Sequence, residues 1–152
     1  MNKSIKYYII MILVLIISLF SIEIQMDTIN ILTLFLYSTI IPLVINAVIY
    51  GINVLKNNFS KKDNILYSAI ISVISMLITG IFLYINLSKD NIDIIIENTK
   101  KLAESNSSIS LSNINVSFDI SSLVFLFAIY LVLFYFTGMI ATLISKKKEQ
   151  VH

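Results

Sequence analysis

The sequence predicts an all-α membrane protein: four transmembrane helices in an antiparallel bundle, with a small extracellular cap between the third and fourth. Three observations carry that reading. Of 152 residues, 57% are hydrophobic and only 13% are charged, about half the charged share of a soluble domain. The apolar residues run in windows free of every ionisable acid, base and histidine, from Tyr7 to Ile22, Thr28 to Leu55, Asn64 to Ser88 and Ile120 to Ser145. The lysines, finally, gather on one side of those windows. Crossing the hydrocarbon takes about 20 apolar residues as helix, and backbone groups in lipid must bond within their own segment. The alternating pattern of a membrane barrel is absent. One domain, 1–152, is expected, with spans at about 7–24, 29–52, 65–87 and 120–144 and an outer segment at 89–119.

The first window is the shortest. "MNKSIK" followed by "YYIIMILVLIISLF" has the basic head and apolar middle of a signal peptide, but no small-x-small cleavage pattern follows. It is read as a retained span, lengthened past Glu23 by Ile24 and Met26, with Lys6 snorkelling to the interface. The link from Glu23 to Asp27 is so short that the first two helices must be antiparallel neighbours.

In the second window Thr39, Pro42, Asn46, Tyr50 and Asn53 share one helix face. Pro42 lacks an N–H, which predicts a freed Ser38 carbonyl and a kink. The connection "KNNFSKKDN" is tight and polar. In the third window Ser68, Ser72, Ser75 and Thr79 form a second seam, with Ala69 and Gly80 nearby. Small residues at that spacing let helices approach closely. Eight residues, Thr39, Pro42, Asn46, Asn53, Ser68, Ser72, Ser75 and Thr79, are thus candidates for helix packing, with the lining of a polar path as the alternative.

The outer segment changes period. Ile92, Ile95, Ile96, Leu102 and Ala103 recur at helical spacing opposite Asp93, Glu97, Lys100, Lys101 and Glu104, which predicts a short amphipathic helix. From Ser108 the period falls to two, and a turn at Ser112-Asn113 pairs Leu111 with Ile114 and Ile109 with Val116. Ile109, Leu111, Ile114 and Val116 then form one apolar face of a β-hairpin, a candidate outer contact face. In the fourth window six aromatics, Phe125, Phe127, Tyr130, Phe134, Tyr135 and Phe136, surround the helix, and Thr137, Gly138, Ala141 and Thr142 make a small-residue cluster suited to docking.

Chemistry is harder to find. There is no cysteine, which removes disulfide, thiolate-metal and thiol-redox readings, and the one histidine is His152, far from a second ligand. Asp90, Asp93 and Glu97 are spaced to share a helix turn and hold a divalent cation, but a solvated acidic face is the better reading. Intramembrane charges ordinarily mark proton relays and catalytic centres, and these windows carry none. No enzyme activity, cofactor or metal is therefore expected.

Eight of the eleven lysines flank the first, second, third and fourth windows on one side, while the other side carries Lys89, Lys100 and Lys101 among seven acids. Short-loop lysines stay cytoplasmic, so both termini are expected inside a plasma membrane. The net charge of +2 sums two opposed faces and implies no nucleic-acid partner. Abundant Ile, Asn, Lys, Tyr and Phe without arginine reflects an AT-rich genome, hence a bacterial source. The cysteines of tetraspanin outer loops and the first-span glutamate of small multidrug exporters are both missing, and a four-span topology by itself implies no function. The expectation is a non-enzymatic protein working through contacts with another membrane protein or with itself, as an accessory or regulatory subunit or a toxin-immunity protein. The alternative is a small oligomeric channel, holin-like pore or transporter.

Overall fold

The computed structural model describes residues 4–87, 89–105 and 119–149. Among these, four helices are long and apolar enough to cross a membrane. They are α1 (Ile5–Ile24), α2 (Ile31–Asn57), α3 (Lys61–Asn86) and α5 (Ile120–Glu149), and a shorter helix, α4 (Lys89–Ser105), stands between the last two. No strand occurs among the described residues. The hairpin expected around Ile109, Leu111, Ile114 and Val116 lies outside them.

The 25–30 link joins helices that pack side by side, whereas the 58–60 link joins a diagonal pair, α2 and α3. α1 lies against both α2 and α3, and α5 lies against the same two, so α1 and α5 face each other diagonally across the bundle. One end holds the 25–30 link and α4 and is here the capped end; the other holds the 58–60 link and is the lysine end.

The lysine-end link is shorter than the sequence windows imply, because capping extends both helices into polar residues. Asn58 takes the left-handed conformation at φ 48° that closes α2, a conformation asparagine tolerates better than most residues. Ser60 then opens α3 with a reciprocal capping box: its hydroxyl accepts the Asp63 N–H at 3.2 Å and its own N–H donates to the Asp63 carboxylate at 3.0 Å. Phe59, between them, is buried against Tyr67 with ring centroids 5.0 Å apart.

Within α2 the expected kink takes the form of one π-helical turn, Leu36–Ile40. The Ile41 N–H bonds back five residues to the Leu36 carbonyl. At that offset the Tyr37 carbonyl falls opposite Pro42, which has no N–H to give. The Ser18 hydroxyl of α1 donates to it instead. The orphan acceptor is thus Tyr37, one residue before the Ser38 carbonyl that an α-helical register predicts, and a neighbouring helix satisfies it.

Helix α4 is amphipathic as expected but separate from α3, since the helix ends at Asn86 and Leu87 is non-helical. Ile95 is fully buried, with Leu15, Leu19, Ile22, Ile29, Leu34 and Leu83, in an apolar layer at the capped end. Leu102, placed on the apolar face by its spacing, is 41% exposed. Polar bonds seat the helix. Asn98 donates through Nδ2 to the carbonyls of Asp27 and Ile29, both at 3.0 Å, and the Ile31 N–H donates to the Thr99 hydroxyl at 3.0 Å. Ile31 opens α2, so Thr99 and the Asn30 cap together take up donors that a helix start leaves free. On the other face Glu97 pairs with Lys101 at 2.7 Å. That hydrogen bond and charge hold the Glu97 carboxyl below its usual range. No group of three metal-ligating side chains forms among the described residues, so Asp90, Asp93 and Glu97 do not converge.

Candidate functional site: a buried polar core

All eight seam residues face the inside of the bundle. Thr39, Asn46, Asn53, Ser68, Ser72, Ser75 and Thr79 are each no more than 2% exposed, and Pro42 is buried beside them. Helical periodicity put each set on one face; the diagonal placement of α2 and α3 turns those two faces toward each other.

At the lysine end polar side chains bond to one another across helices. The Asn53 side-chain oxygen accepts from Ser4 Oγ at 3.0 Å and from Asn57 Nδ2 at 2.7 Å. One turn deeper the Tyr50 hydroxyl donates toward Asn64, with its Oδ1 at 2.8 Å and its carbonyl at 3.1 Å, and Asn64 Nδ2 donates to the Tyr135 carbonyl at 3.2 Å. Asn64 therefore ties α2, α3 and α5 together from a single buried side chain. Gly138 makes room for it. A Cβ there would collide with the Asn64 amide oxygen and lie 2.9 Å from Cε1 of Tyr50.

Toward the middle of the bundle the bonding turns local. Ser68 Oγ donates to the Ile65 carbonyl at 3.0 Å and Ser72 Oγ to the Ser68 carbonyl at 2.6 Å, so both hydroxyls are satisfied within α3. Asn46 Nδ2 reaches across to the Met11 carbonyl at 3.1 Å. Five buried polar atoms among the described residues have no hydrogen-bond partner: Tyr8 Oη, Asn46 Oδ1, Asn53 Nδ2, Thr79 Oγ1 and Tyr130 Oη. Beyond Thr79 the polar lining stops. Leu83 continues α3 into the apolar layer that Ile95 of α4 completes.

The small-residue cluster of α5 has a different place from the one its composition suggests. Gly138, Ala141 and Thr142 are buried, and a Cβ at Gly51 of α2 would lie 3.1 Å from Thr137 Cγ2. These residues set the close approach of α5 to α2 and α3, and are not a free docking point. Of the aromatics, Tyr130 and Phe134 fill the core at 0% exposure, while Phe125 and Phe136 face outward at 58% and 55%.

Sequence reasoning missed Ser4, Asn64, Asn98 and Thr99. Asn64 was within reach: carrying the Ser68, Ser72, Ser75, Thr79 spacing back by four residues lands on it. Asn98 and Thr99 carry no comparable signal, because they sit at the boundary of an amphipathic helix and their partners are backbone groups 68 to 71 residues away.

Comparison with models of known families, with curated proteins and with solved structures finds no match.

Proposed function

We propose that the chain is a non-enzymatic, multi-pass protein of a bacterial plasma membrane, with both termini cytoplasmic, that acts by binding another membrane protein as an accessory, regulatory or immunity-type subunit. One observation carries the reading. The polar side chains available to line a path are turned into the core of a single chain, bonded largely to one another and to backbone, and end beneath an apolar layer closed by α4. What is left for recognition is the outer face of α4, where Asp93, Glu97, Lys100, Lys101 and Glu104 are exposed on a helix held by Asn98 and Thr99. A charged helix face seated on a rigid bundle is suited to partner choice, since charge complementarity governs specificity more than affinity. By its sequence pattern, the apolar face of Ile109, Leu111, Ile114 and Val116 extends this extracellular cap as a hairpin, against the partner or the chain's own helices.

The five unpartnered buried atoms favour a second reading, a pore or transporter in which Asn46, Asn53 and Thr79 meet a solute. Photo-crosslinking residues introduced at Asp93 and Lys101 in native membranes separate the two. The contact reading expects a foreign membrane protein captured in stoichiometric amount. Self-crosslinks alone, together with solute leak from liposomes carrying the purified chain, would replace it by the pore.

A further inference from the structure

We infer that the lysine end carries a built site for one anionic phospholipid, bound between α3 and α5. A cavity of about 160 Å³ opens there, with Lys61 and Lys146 in its lining. Ile65, Met139 and Leu143 form its apolar wall, and Asn64 and Thr142, both buried, form its floor. Ile65 and Leu143 are 55% and 61% exposed on the bundle's outside, so the cavity is open toward the surrounding lipid.

Depth and charge decide what fits. A helix of 26 residues such as α3 is about 39 Å long, against about 30 Å of hydrocarbon. Its first residue, Lys61, therefore stands at headgroup level, as does Lys146 near the end of the antiparallel α5. Two ammonium groups at phosphate depth, above an aliphatic wall, match a phosphodiester headgroup with an acyl chain running down the groove. No carboxylate lines the cavity. The nearest acid on α3, Asp63, is engaged with the Ser60 hydroxyl at 2.7 Å, and neither lysine forms an ion pair among the described residues. The site is thus a positive clasp whose described lining holds two ammonium groups and no carboxylate, and its position between the two helices that Asn64 joins lets the lipid brace that contact.

The test is native mass spectrometry of the full chain released from bilayer discs of phosphatidylglycerol and phosphatidylcholine in equal parts. The expected result is one retained phosphatidylglycerol, in preference to phosphatidylcholine. A lysine near an anionic lipid surface contributes about fivefold in affinity, so the Lys61→Gln, Lys146→Gln double variant should lose retention by roughly thirtyfold. Lys56→Gln with Lys62→Gln removes the same charge from the same end but outside the cavity, and should leave retention unchanged. Leu143→Trp fills the groove with both lysines intact, and should also expel the lipid. Equal loss from the two double variants would reduce the effect to general surface charge and overturn the site. Retention that survives Leu143→Trp, or displacement of the lipid by excess inorganic phosphate, would make it a plain anion site and overturn the lipid assignment.

Discussion

Asn64 links three helices through one side chain, because it accepts from α2 and donates to α5 while belonging to α3. Replacing it by leucine removes the shorter of the Tyr50 hydroxyl's two acceptors, leaving it the backbone carbonyl of residue 64 at 3.1 Å, and takes the side-chain donor from the Tyr135 carbonyl; losing two such interhelical bonds costs about 1 kcal/mol. Gly138→Ala attacks the same point sterically, and overpacking of this kind costs about 1–3 kcal/mol. Both variants should unfold more readily than the parent in a denaturant titration of the reconstituted protein. Asn46→Leu is the contrast. It removes one interhelical bond, to a Met11 carbonyl, and bonds of this type average about 0.6 kcal/mol in membranes, so that variant should stay near the parent. A large loss at Asn46 with little at Asn64 would reverse this ranking of the core. At this scale the sequence was informative about which side chains face inward, because a helix face has a fixed period, as with Asn46 and Ser72. It was silent where the partner is backbone of a distant helix, as with Tyr135 and Asn64.

Helix α4 is held by one buried isoleucine and a few polar bonds rather than by a span of its own. Ile95→Asp should therefore free it while the four long helices, whose backbone bonds are internal, remain inserted. Protease added to the protein in bilayer discs, where both faces are accessible, should cut the variant between Lys89 and Ser105 faster than the parent, and equal rates would mean that the helix is not docked by Ile95. The start of α5 gives a pH test. Asp119 accepts from Ser121 Oγ at 2.6 Å and from the Ser122 N–H at 3.0 Å, and these bonds hold its carboxyl below the usual aspartate value. A depressed native pKa contributes stability that is present above the unfolded value and lost as pH falls through the native one. The first turn of α5 should then fray only below about pH 4, seen as faster intrinsic-rate-corrected amide exchange at Ser122, and Asp119→Ala should show that exchange at neutral pH. The amphipathic period announced α4 as a helix. Its docking depends on the 25–30 link meeting Asn98 and Thr99, a tertiary coincidence that no local pattern encodes. The π turn was half legible: Pro42 announced an irregularity, but its form depends on Ser18 of another helix.

For the whole molecule, hydrophobic windows and links too short to do anything but reverse the chain made the bundle readable in advance. The windows understated α2 and α3 because helices continue past the hydrocarbon on polar residues, as the Ser60 and Asp63 cap shows. The site was legible as two faces and illegible as an interior, since nothing in either seam says whether it meets the other seam, water or a second protein. Lysine asymmetry adds the proposed orientation. In intact cells Asp93→Cys should react with an impermeant thiol reagent and Lys62→Cys should not, without background in a chain that has no cysteine. The seams are closed packing within one chain rather than a path, and Ser72, fully buried in the middle of the α3 seam, tests this most directly. Ser72→Cys in open membranes should resist a small membrane-impermeant thiol reagent that modifies Lys62→Cys rapidly. Modification of the two cysteines at similar rates, in protein that remains folded, would contradict closed packing and put water in the core.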